Sequence, residues 1–187
     1  MKQLATIVSI LGMFLAVSGV AYGDDEFVFV ANLSGVQEIV GPNGELLPPP
    51  QLGIETDTTG RVRLSFDQAL TRARFRLRVN NGDDITQAHL HCAPAGVNGP
   101  IVVFLFPSAP PPDPGMDVNG LLSEGELTNA SFVATAAGCP ETCGKPVNNI
   151  ASLWAAILDG CIYANVHSVM HGAGVVRGQV GPADDER

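Results

Sequence analysis

All four histidines of this chain lie in two short stretches, Gln87-Ala-His-Leu-His91 and Tyr163-Ala-Asn-Val-His-Ser-Val-Met-His171. Read as a strand, the first stretch sends Ala88 and Leu90 to one face and His89 and His91 to the other. Two imidazoles then stand about 7 Å apart on one wall. Neutral imidazole is a ligand for copper and zinc. With His167 on a neighbouring strand, three rings could hold one such ion, and His171, a water or Met170 could complete the shell. The other reading is architectural: the rings bond backbone groups and hold the Gly-rich turns at the edge of the fold. Metal–nitrogen bonds near 2 Å require donor atoms within about 4 Å of one another, so the convergence of the rings separates the two readings.

Nucleophilic catalysis has less to stand on. The chain has no Gly-x-Ser-x-Gly elbow, no P-loop, no dinucleotide fingerprint and no acid pair at legible spacing. Ser168 adjoins His167, but neighbours in a strand point to opposite faces and do not make a dyad. The reading is therefore a protein that is not an enzyme. Asn32-Leu-Ser34 and Asn129-Ala-Ser131 are glycosylation sequons, meaningful only in a eukaryotic host.

The elements that must position the histidines are mostly strands. Arg72, Arg74, Arg76 and Arg78 alternate strictly with Ala73, Phe75, Leu77 and Val79, the period of a half-buried strand with one solvent face. Arg61 to Phe66 has the same period, and Asp67 to Thr71 can turn the chain between the two. The arginine row reads either as a site for polyanions or as a solvated face paired across strands with acidic neighbours; the second reading is preferred. Further strands are expected at Glu26–Leu33, Gln87–His91, Ile101–Leu105, Leu121–Leu127, Ala130–Ala134, Ile162–His167 and Val175–Val180. Loops rich in proline and glycine, at Gly41–Gly44 with Pro48–Pro50 and at Pro107–Gly115, should be surface excursions. One short helix is expected near 149–159, capped by Asn148 or Asn149, with Ile150, Leu153, Trp154, Ile157 and Leu158 on one stripe and Gly160 at its left-handed end. Many short strands, one helix and no βαβ alternation indicate an all-β fold, an antiparallel β-sandwich of Greek-key type.

Four cysteines, Cys92, Cys139, Cys143 and Cys161, permit three pairings. Cys92 follows His91 and Cys161 precedes His167 by six residues, so a Cys92–Cys161 bond would pin the two histidine stretches together. That pairing is preferred. A Cys/His zinc site is the rival, and an oxidising compartment favours disulfides.

Such a compartment is expected from the first residues. Lys2 and the apolar run Leu4–Val20 precede Ala21-Tyr-Gly23, small residues at −3 and −1 of a signal-peptidase site, so residues 1–23 read as a signal peptide. No second apolar run follows, which leaves no membrane span after cleavage. Residues 24–187 then suit one domain, secreted or periplasmic. Without Lys2, nine basic residues face nineteen acidic ones, a formal charge of −10 that argues against nucleic-acid partners.

Taken in order, Leu33-Ser-Gly-Val-Gln-Glu38, Ala88-His-Leu-His91, Gly96 with Asn98-Gly-Pro-Ile-Val-Val103, the helix ending at Gly160, Tyr163-Ala-Asn-Val-His167 and Arg177-Gly-Gln179 give the chain its resemblance to the CHRD domain, over most of residues 26–180. The family usually has Thr after the last of these histidines, then Pro and Glu ahead of Arg-Gly-Gln. Here Ser168, Gly172 and Val175 stand there, so Arg177 lacks that nearby partner. The resemblance implies a β-sandwich module outside the cell and brings no catalytic residues; the expected sandwich is immunoglobulin-like or, by fold-level analogy from His-x-His on a strand, similar in layout to the copper–zinc superoxide dismutases. Two functions of different class follow. One is a structural or interaction module for an extracellular or periplasmic protein or polyanion. The other is an exported copper or zinc protein using His89, His91 and His167, with His171 as a further candidate.

Overall fold

The computed structural model describes residues 27–39, 53–107 and 113–183. The residues read above as a signal peptide with its cleavage site, the loop at 41–50, the middle of the proline insertion and the end of the polar tail lie outside those residues. The elements are β1 (Phe27–Ser34), β2 (Thr59–Phe66), β3 (Arg72–His91), β4 (Ile101–Phe106), β5 (Met116–Thr128), the helices α1 (Cys139–Cys143) and α2 (Ile150–Leu158), then β6 (Tyr163–Ser168), β7 (Val176–Gln179) and β8 (Gly181–Pro182).

The expected sandwich is replaced by one closed, barrel-like antiparallel sheet. β1 pairs with β2, β2 with β3, β3 with β6 and β6 with β7, and β7 returns to β1 at Ser34 opposite Arg177. Closure depends on β3, a single strand of 20 residues that joins the arginine row to the histidine stretch. Its first half pairs with β2 and β5, its second with β6 and β4. Between the halves the register slips, and Asn81 (φ 51°) and Asp84 (φ 48°) take left-handed conformations. Such bulges bend a strand sharply without ending it. Gly82 lies at the bend, where an added Cβ would come within 2.9 Å or less of Val79, Ile85 and Val118 side chains. Sequence periodicity shows two strands here because the bend breaks the period of two.

The alternation does place the core correctly. Val62, Leu64 and Phe66 of β2 and Ala73, Leu77 and Val79 of β3 are buried, while all four arginines of the row are exposed. α2 adds Ile150, Leu153, Ala156 and Ile157 to the same core. Each such fully buried Leu or Ile contributes about 1.5–3 kcal/mol. Asn149 caps this helix reciprocally with Ser152, at 2.9 and 3.0 Å, and Gly160 ends the segment at φ +69°. Trp154 packs at the core margin against Phe27.

Two expectations on the second half need correction. Residues 130–134 do not form a strand: Asn129–Ser131 and Ala134–Gly138 are 3₁₀ turns, with only Phe132 bridging to Val103. Local side-chain bonds, Thr128 with Ala130 N and Ser131, satisfy the backbone there and displace a ladder. The disulfides are Cys92–Cys139 and Cys143–Cys161, not Cys92–Cys161. α1 presents Cys139 and Cys143 four residues apart, on one helical face. One therefore reaches the end of β3 and the other the entry to β6, with Cα separations of 5.6 and 5.9 Å. The two histidine strands are still tied, through a helix rather than directly.

Candidate metal centre

β3 and β6 pair so that His91 faces Tyr163, His89 faces Asn165 and Gln87 faces His167. Ala88, Leu90, Ala164 and Val166 point into the core, so the alternate residues His89, His91, Tyr163, Asn165 and His167 share the opposite face. That face is not open to solvent. His89, His91 and His167 are 2%, 8% and 9% exposed.

The three rings converge. His89 Nδ1 lies 3.0 Å from His167 Nε2, and one ring nitrogen from each of His89, His91 and His167 falls within 4.8 Å of the others. Phe104, across from His89 on β4, sets its ring edge-on to that imidazole at 4.5 Å. His171 is not brought into this group, and Met170 is largely exposed at 72%.

Hydrogen bonds assign the protons. His91 Nδ1 donates to Gly99 O at 2.9 Å and His167 Nδ1 donates to Gly172 O at 3.0 Å, because a carbonyl only accepts. Each ring then keeps its lone pair on Nε2. His167 Nε2 accepts from His89 Nδ1, which leaves the His89 lone pair on Nε2 as well. His89 Nε2 and His91 Nε2 are buried with no hydrogen-bond partner among the described residues. Burial pushes the His89 pKa down to about 3 and that of His91 down to about 4, with neighbouring charges adding to the effect, and burial lowers that of His167 too. All three are neutral at pH 7, the state that ligates metal.

This donor set fits copper or zinc. Ligating histidines characteristically donate their second nitrogen to a carbonyl or carboxylate, as His91 and His167 do here. The spread of donor atoms is about 1 Å wider than bonds near 2 Å require, so the rings would draw together around an ion.

Behind the histidines lies a polar layer. Arg177, opposite Asn165 on β7, is 2% exposed. Its guanidinium sits 3.5 Å above the Tyr163 ring and donates to Asn98 Oδ1 at 2.9 Å and Val97 O at 2.8 Å. Tyr163 in turn stacks on His91, with centroids 4.8 Å apart and planes 9° from parallel. Glu38, 1% exposed, accepts from Asn165 Nδ2 at 3.3 Å. A family model described as the CHRD domain matches residues 29–180. The chain belongs to the CHRD domain family. No curated protein and no solved structure matches it.

In this CHRD domain the separated motifs are one place: Glu38, His89, His91, Asn98, Asn165, His167 and Arg177 come from five of them. Arg177, which lacks the family's acidic neighbour, is held instead by carbonyls, an amide and an aromatic face. Burial pushes the Glu38 carboxyl up to about 8, against the opposing pull of Arg177 and Asn165, so it keeps its proton at neutral pH. Glu38, Asn165, Tyr163 and Arg177 were not among the sequence-derived site residues. For Tyr163, Asn165 and Arg177 the signal was a polar residue at alternate positions of a strand; Glu38, at the end of the turn Gly35–Gln37, carried no such signal.

The arginine row lies apart from this centre. Arg72 reaches Asp67 at 3.8 Å, Arg76 reaches Glu124 at 3.3 Å, and Arg74 stands opposite Glu126 in register. CHRD domains occur in extracellular proteins, and two disulfides agree with an extracytoplasmic location. No helix among the described residues is long and apolar enough to cross a membrane.

Proposed function

We propose that this CHRD domain binds one copper or zinc ion outside the cytoplasm through His89, His91 and His167, as a binding module rather than an enzyme. The observation that carries this reading is a pair of buried, partnerless Nε2 lone pairs beside a third imidazole in the neutral state. Leaving a buried polar atom unpaired costs about 1–3 kcal/mol, and an ion would pair such atoms while displacing the His89 Nδ1–H bond from His167 Nε2. Three imidazoles leave a fourth position for water or a partner's ligand.

A second reading is favoured by the same hydrogen bonds: His91 and His167 hold the turns at Gly99 and Gly172, as architectural residues of an interaction module would. Its partner would be an extracellular or periplasmic protein or polyanion.

Metal analysis separates the two. The oxidised protein, exposed to copper and zinc and then desalted, should retain about one equivalent of metal, and His89→Ala/His91→Ala should retain none. Absence of metal from the folded parent would leave the architectural reading.

A further inference from the structure

We infer that Arg177 sets the oxidation-state preference of an ion held at His89, His91 and His167, its buried charge favouring cuprous over cupric copper. This rests on the metal-binding reading and deepens it.

The geometry is a stack. Arg177 lies 3.5 Å from the Tyr163 ring centroid, and Tyr163 lies 4.8 Å from that of His91. Two such steps leave the guanidinium at most about 8 Å from the His91 ring, within the range where charges in a protein interact appreciably. The guanidinium is fixed there by Asn98 Oδ1, Val97 O and, at 3.5 Å, Pro94 O. The same loop carries Gly99, whose carbonyl orients His91.

Among the described residues no negative charge offsets this cation at the site. The three donors are neutral imidazoles, and the metal-ligand cluster contains no carboxylate or thiolate. All four cysteines are in disulfides. Glu38, the acid nearest this layer, holds its proton at neutral pH. A cupric ion brings one more positive charge than a cuprous ion into this buried, already cationic surrounding, and the extra charge is disfavoured. At an effective dielectric near 20 the repulsion corresponds to roughly a tenfold shift in the ratio of the two affinities.

The test is an equilibrium redox titration of copper-loaded protein, with a cuprous-affinity competition alongside. The parent is compared with Arg177→Gln, Arg177→Lys and Asn98→Asp. Asn98→Asp keeps the oxygen that accepts from Arg177 and adds the missing negative charge, so it reads the electrostatics even where Arg177→Gln fails to fold. Arg177→Gln and Asn98→Asp should each lower the potential by about 60 mV, the equivalent of tenfold for one electron. Arg177→Lys should leave it near the parent value. Copper bound by all forms with an unchanged potential in Asn98→Asp, or an equal shift in Arg177→Lys and Arg177→Gln, would overturn the inference and leave the metal site standing. A folded parent that binds zinc but no copper would remove the inference alone, and one that binds neither would remove the metal site as well.

Discussion

His89 and His167 lie 78 positions apart in sequence, yet their ring nitrogens are 3.0 Å apart, inside a covered sheet face. Neither is opposite the other in the β3–β6 ladder; they meet on the diagonal, between Gln87–His167 and His89–Asn165. This contact determines what each variant should do.

His167→Ala removes a ligand and also the acceptor for His89 Nδ1. Metal affinity should fall by more than the 10–100-fold typical of losing an outer-shell partner. Calorimetry with copper and with zinc measures it. Unaltered affinity for both would exclude His167 from the site.

Acid should destabilise the metal-free protein before it protonates the carboxylates fully. The folded pKa values of His89 and His91 lie at about 3 and 4, below the ordinary 6.5. A depressed pKa means the unfolded chain binds the proton first, so this stability is complete above pH 6.5 and is lost as pH falls through about 4 to 3. Denaturant midpoints between pH 7 and 4 should fall by the equivalent of a few kcal/mol, and His89→Ala/His91→Ala should flatten the slope below pH 6.5.

Glu38 acts in the opposite direction. Its folded pKa of about 8 stands above the ordinary 4.5, so the native state holds a proton that the unfolded chain releases. That contribution is full below pH 4.5 and disappears as pH rises through about 8. Glu38→Gln, which cannot ionise, should gain on the parent steadily across that window. Parallel stability curves would show that the carboxyl is ionised in the fold.

Gly174 sits at φ +138°, where an added Cβ would lie 2.6 Å from the Asn165 amide and 2.7 Å from Glu38 Oε1. Gly174→Ala should lower stability by about 1–3 kcal/mol through backbone strain, and more through displacement of that layer. Thermal unfolding monitored by near-ultraviolet dichroism reads it.

Peptide mapping of the unreduced protein should recover Cys92 linked to Cys139 and Cys143 linked to Cys161. Replacing Cys143 and Cys161 together by Ser should cost about 3 kcal/mol, from the freed loop of 18 residues. A Cys92–Cys161 peptide would contradict the fold of α1.

The elements legible in the sequence are those whose period survives locally. The alternation of Arg72–Val79, the stripe and caps of Ile150–Leu158, and the shared face of His89 and His91 all depend on residues within a few positions of one another. The strand alternation needs only the pleat, and the helix stripe only the 3.6-residue turn. What joined them was not legible. The bend at Asn81–Asp84 makes β3 one strand and closes the sheet, because a bulge is set by packing around Gly82 rather than by composition. The disulfide pairing depends on where α1 sits, and four cysteines alone allow three arrangements. Sequence determined that three histidines and the ionisable residues Glu38 and Arg177 fall inside strand and turn motifs. Only the tertiary structure decided that these meet, that His171 stays outside, and that the rings are buried and neutral. Burial and through-space charge arise from neighbours distant in the chain, and no spacing rule encodes them.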